Sequence, residues 1–71
     1  MPEFLIIYRL HQNWPLTGEQ NFTKTETFDF LDPAKLWIDA MWNEWSDCKD
    51  LQLYEYNGVQ YVLVERRHRD A

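Results

Sequence analysis

The stretch Leu51-Gln52-Leu53-Tyr54-Glu55-Tyr56-Asn57-Gly58-Val59-Gln60-Tyr61-Val62-Leu63-Val64-Glu65-Arg66 decides the fold. Two runs of aliphatic and aromatic residues flank an Asn-Gly pair, and that pair tolerates the positive φ angles of a two-residue type I′ turn. The reading is a β-hairpin with Tyr56 opposite Val59, Tyr54 opposite Tyr61, Leu53 opposite Val62 and Leu51 opposite Val64. Alternation then gives two unlike sides. Leu51, Leu53, Val62 and Val64 form an aliphatic one, suited to a core, and Tyr54, Tyr56, Val59, Tyr61 and Leu63 form an aromatic one that looks outward.

Working back from the hairpin, Asp32-Pro33 opens a helix, the aspartate as cap and the proline at the first helical position. Ala34, Ile38, Met41, Trp45 and Cys48 recur at helical spacing and define its buried stripe, which ends near Cys48 or Lys49. Leu36 is the one apolar residue clearly off that stripe. Phe22 to Phe30 alternates, with Phe22, Lys24, Glu26, Phe28 and Phe30 against Thr23, Thr25, Thr27 and Asp29, as an edge strand guarded by charge. Phe4 to Leu10 is almost continuously apolar and reads as a central strand. His11 to Asn21, broken by Pro15 and Gly18, reads as the loop of a long hairpin, with Trp14 either folded over the core or awaiting a partner. The sum is an α+β domain of order ββαββ, an antiparallel four-stranded sheet with one helix on one face. It is a single small domain over 1–71, with residues 66–71 a basic tail.

Composition narrows the function classes. A 71-residue chain with one cysteine has no internal disulfide, and without a nearby Cys or His cluster it has no zinc staple. Its 17% aromatic content must supply the packing. The longest apolar run, Phe4 to Tyr8, is far short of a membrane span, and the opening Met1-Pro2-Glu3 lacks a secretory signal's basic start, so the expected location is the cytoplasm. Residues 1–65 hold eleven acids against Arg9, Lys24, Lys35 and Lys49, a net of −7, while 66–71 carry +2. Such a body is repelled by nucleic acid and attracted to basic surfaces.

Catalytic chemistry finds little support. Gly18 and Gly58 are forty residues apart, so no phosphate-cradling loop exists. Cys48 sits on the apolar stripe as a structural thiol, and Asp29 and Asp32 bracket a helix start, where dipole compensation accounts for them. The expectation is a non-enzyme without cofactor or metal. Two features remain for binding. One is the outward hairpin face and its acids, Tyr54, Glu55, Tyr56, Tyr61, Leu63 and Glu65, read as a protein-binding site. The other is Glu65-Arg66-Arg67-His68-Arg69, either a solvated terminus or a clamp for phosphates or carboxylates.

An apolar first strand, a Thr-rich second strand, a helix opened by Asp32-Pro33-Ala34-Lys35 and a closing hairpin around Asn57-Gly58 resemble small bacteriophage-encoded inhibitors. Some anti-CRISPR proteins and some phage inhibitors of RNA polymerase are similar in size and order of elements. The resemblance is one of architecture and carries over no functional residue. It implies a non-enzymatic protein of the host cytoplasm that occludes a basic surface of a nucleic-acid machine by steric and electrostatic means. The same open face also suits a structural or assembly module that homodimerises through it, and the acidic body argues against direct nucleic-acid binding.

Overall fold

The computed structural model describes residues 1–69 and has the order ββαββ: β1 (Phe4–Trp14), β2 (Gly18–Phe28), α1 (Leu31–Glu44), β3 (Cys48–Tyr56) and β4 (Tyr61–His68). All strands are antiparallel in one sheet, ordered β2-β1-β3-β4, so the apolar first strand is central and the threonine-rich strand is an edge, as their patterns predict.

Buried side chains alternate along β1. Phe4, Ile6, Tyr8 and Leu10 point to the helix and, with Leu51 and Leu53 of β3, Cys48 at its start, and Ala34 and Ile38 of α1, form the buried core. Trp37 seals one side, its ring 5.1 Å from Tyr8 and 6.2 Å from Phe28. Leu36 is on the solvent side, as its place off the stripe requires.

Four local expectations need correction. The helix starts at Leu31 and its cap residue is Phe30, without a side-chain cap bond, so Asp32 contributes first-turn charge instead of a cap. It stops at Glu44, because Trp45 leaves helical geometry with ψ 88°. Cys48 is therefore buried from β3 rather than from the helix stripe. The segment 11–21 is mostly ladder, since β1 and β2 pair from Phe4↔Phe28 through to Trp14↔Gly18 around the short loop Pro15 to Thr17. Gly18, at φ 77°, supplies the left-handed residue that a three-residue hairpin loop requires.

The second hairpin joins the expected strands, but neither the turn nor the cross-strand partners are the expected ones: Tyr56, Tyr54, Leu53 and Leu51 face Tyr61, Leu63, Glu65 and Arg67 rather than Val59, Tyr61, Val62 and Val64. Asn57 does not take a positive φ, so a type I′ turn is absent, and Tyr56 pairs with Tyr61 across a four-residue loop, 57–60. Asn57 organises that loop: its Oδ1 accepts from the backbone N–H groups of Val59 and Gln60, both at 2.9 Å, and Gly58 takes the positive φ of 98°. The register then shifts by one at a bulge, so Tyr54 faces Leu63 while Leu53 faces Glu65.

Candidate functional site

One helix covers one face of the sheet, and the other face is left without cover. By ladder register it presents Leu5 and Ile7 of β1, Tyr54 and Tyr56 of β3, and Tyr61 and Leu63 of β4. Tyr54 lies between Leu5 and Leu63 in the ladder, and Tyr56 lies opposite Tyr61 with ring centroids 5.2 Å apart at 52°. Thr23, Thr25 and Thr27 of β2 flank the patch on one side, and Arg9, Asp50 and Arg66 flank it towards one end. An apolar centre with a polar margin is the usual anatomy of a protein-binding patch.

The tyrosine hydroxyls are already engaged. Tyr61 donates to the Pro2 carbonyl at 2.6 Å, Tyr56 to the Gly58 carbonyl at 3.1 Å, and Tyr54 to the Gln52 side-chain oxygen. A partner that covered these rings would leave no hydroxyl unsatisfied, which removes one usual penalty of burying tyrosine. The rings are also held in place beforehand, so less side-chain entropy is lost on docking.

Of the six residues expected to share a site, the structure brings four together and sends two elsewhere. Tyr54, Tyr56, Tyr61 and Leu63 share the open face. Glu55 lies between Phe4 and Val62 in the ladder, on the helix side. Glu65 is turned to the helix side as well, because the bulge moves it from the tyrosine row to a place opposite Leu53. There its carboxylate accepts from Arg67 Nε at 3.0 Å, and Arg67 reaches Asp39 of α1 at 2.8 Å. Burial alone would lower the Arg67 pKa, but the hydrogen bonds that Arg67 donates to Asp39 and Glu65, with the negative charge of both, outweigh it and raise it.

The basic end of the chain is built into the fold as far as Arg69. Arg66 pairs with Asp50 at 3.2 Å, and Arg69 stacks 3.8 Å above the Trp42 ring while donating to the Trp42 carbonyl. Asp70 and Ala71 of the expected tail lie outside the described residues.

Carboxylates collect at the opposite end. Phe4 pairs with both Phe28 and Glu55, and the Tyr56 N–H donates to the Glu3 carbonyl at 2.8 Å, so Glu3, Asp29, Asp32 and Glu55 belong to the end where β1 and α1 begin. None of the ion pairs among the described residues involves any of these four.

The free edge of β4 is a feature the sequence reading missed. Val62, Leu63 and Val64 are 44%, 50% and 51% exposed on a strand whose outer edge has no neighbour in the sheet, an apolar edge of the kind that proteins ordinarily protect. The signal was present in the run Val62-Leu63-Val64, but a hairpin reading cannot tell which strand is the outer one.

Burial pushes the Cys48 thiol up, with Arg69 opposing it, and the group is inert rather than activated. No cluster of three or more His, Cys, Asp or Glu residues suited to a metal occurs among the described residues, and none of their helices is long and apolar enough to cross a membrane. No protein family, curated protein or solved structure matches this chain.

Proposed function

We propose that this is a non-enzymatic binding protein that docks its open sheet face on a protein partner and inhibits that partner by occlusion. The observation that carries the reading is the uncovered patch of Leu5, Ile7, Tyr54, Tyr56, Tyr61 and Leu63, with its tyrosine hydroxyls satisfied within the chain. Glu3, Asp29, Asp32 and Glu55, which enter none of the ion pairs among the described residues and belong to the same end of the sheet as the Tyr56–Tyr61 pair, favour a basic partner surface, such as one that holds DNA or RNA. The architectural resemblance to phage-encoded inhibitors points the same way.

The test is capture from a bacterial lysate followed by reconstitution with the captured complex. The expected partner is a nucleic-acid-handling complex whose activity falls when the protein is added and whose binding weakens with salt. Tyr54→Ala with Tyr61→Ala should abolish both binding and inhibition while the circular dichroism spectrum is kept; unchanged affinity of that variant would remove the proposed face.

A second reading rests on the apolar β4 edge, which suits pairing with a second copy. Light scattering at micromolar concentration detects such a dimer, and Tyr54→Ala with Tyr61→Ala separates the two readings, since backbone pairing along the β4 edge does not need the tyrosine rings.

A further inference from the structure

The β1–β2 hairpin runs past the end of the helix, and a groove of about 320 Å³ opens beside its inner face. Leu10 and Phe22, opposite one another in the ladder, line it together with Trp14 and Trp45. Trp14 leans on Phe22 with ring centroids 6.0 Å apart, and Trp45 is the residue that ends α1. Both tryptophans are 47% exposed, although a chain of 71 residues has few other rings as large with which to build a core. The volume is at the low end of the roughly 300–1,000 Å³ typical of ligand pockets.

The polar side chains of the groove are Gln12 and Lys24. Trp14 Nε1 donates to Gln12 Oε1 at 3.1 Å, and because an indole N–H can only donate, the orientation of the Gln12 amide is fixed with its amino group unused. Lys24 enters none of the ion pairs among the described residues. Every polar side-chain group that the groove still offers is therefore a donor, and one of them is a cation, in a protein of formal charge −5.

We infer that this groove is a binding site for a planar aromatic carboxylate of one or two rings. The ring packs against Trp14, Trp45 and Phe22 in offset or edge contacts, and the carboxylate takes charge-assisted hydrogen bonds from Lys24 and the Gln12 amino group. The long-range field of the protein repels anions, so recognition is local to Lys24 and depends on the ring being seated. The site is on the helix side of the sheet and is independent of the open face.

The experiment titrates the intact protein with 2-naphthoate and, separately, with neutral 2-naphthamide, following the indole N–H resonances by NMR and the affinity by calorimetry. Naphthoate should shift the Trp14 and Trp45 indole signals saturably and leave Trp37 unmoved, and naphthamide should bind at least about fivefold more weakly, the loss expected for one charge-assisted hydrogen bond. Lys24→Gln, on an exposed edge strand, should erase the preference for the carboxylate while keeping the melting temperature. Saturation elsewhere than Trp14 and Trp45, no saturation up to about 5 mM naphthoate, or an undiminished preference for naphthoate over naphthamide in the folded Lys24→Gln variant would each overturn the assignment.

Discussion

Ile6 and Ile7 are adjacent on the central strand and point to opposite faces, so truncating each in turn asks which face of the sheet is covered. Ile6 is fully buried beneath the helix; Ile7 is partly exposed on the open face. Ile6→Ala removes three carbon groups at about 0.8 kcal/mol each, about 2.4 kcal/mol, and the residual cavity raises the cost to about 3–4 kcal/mol. Ile7→Ala exposes no cavity inside a packed layer and should cost about 1 kcal/mol. For 71 residues the entropy of unfolding is about 0.15 kcal/mol/K, so the melting temperature should fall by about 20–27 °C for the first and about 7 °C for the second. Total stability for this length is about 4–11 kcal/mol, of which Ile6→Ala removes a large share, and Ile6→Val against Ile7→Val repeats the contrast at about 1 kcal/mol against nearly none. Calorimetric or circular dichroism melts at two protein concentrations measure it. Equal losses for Ile6→Ala and Ile7→Ala would refute the reasoning, because they would mean that the open face is covered. A concentration-dependent melt of the parent, lost in Ile7→Ala, would identify the cover as a second copy.

Two further outcomes follow from single side chains. Asn57→Ala removes the acceptor for two backbone N–H groups of the β3–β4 loop and should cost about 1–2 kcal/mol in urea unfolding, and a cost near zero would show that the loop closes without it. Burial raises the pKa of both the Tyr8 hydroxyl and the Cys48 thiol, so the fold favours their neutral forms. That stabilisation is whole below the ordinary thiol value of about 8.5 and is lost as pH rises through it and past about 10. The urea midpoint should therefore decline in alkali, less steeply at first in Cys48→Ala, and a flat profile would contradict it.

The parts of the fold that a buried face controls were legible in the sequence. Continuous apolarity marked β1 as central, threonine alternation marked β2 as an edge, and Ala34 and Ile38 marked the face of the helix that packs. Residues 11–21 were illegible as strand for a physical reason: the hairpin extends past the helix, neither of its faces is deeply buried there, and so no alternation of polarity is imposed on His11, Gln12, Asn13, Glu19 or Gln20. The register of the second hairpin was missed differently. Asn-Gly is a local signal for a turn type, but the Asn57 side chain bonds the backbone two and three residues on and selects a longer loop. The bulge between Leu53 and Tyr54 has no local signature, and it alone carries Glu65 from the tyrosine face to the helix face.

That bulge also determines how charge is distributed over the molecule. By turning Glu65 inward it completes a link from β4 through Arg67 to Asp39 of the helix, which ties an edge strand of the sheet to the helix. The arginines that the sequence offers as a clamp for phosphates are used within the chain: Arg66 by Asp50, Arg67 by Asp39 and Glu65, and Arg69 by the ring and carbonyl of Trp42. A phosphate could recruit Arg67 only by displacing two carboxylates that remain beside it, so its own negative charge would be opposed at the point of contact. At the other end no cation is paired with Glu3, Asp29, Asp32 or Glu55. Those four carboxylates thus stay available at the end of the sheet that also holds Tyr56 and Tyr61, and in the proposed docking they, more than the net value of −5, are the charges that meet a basic partner.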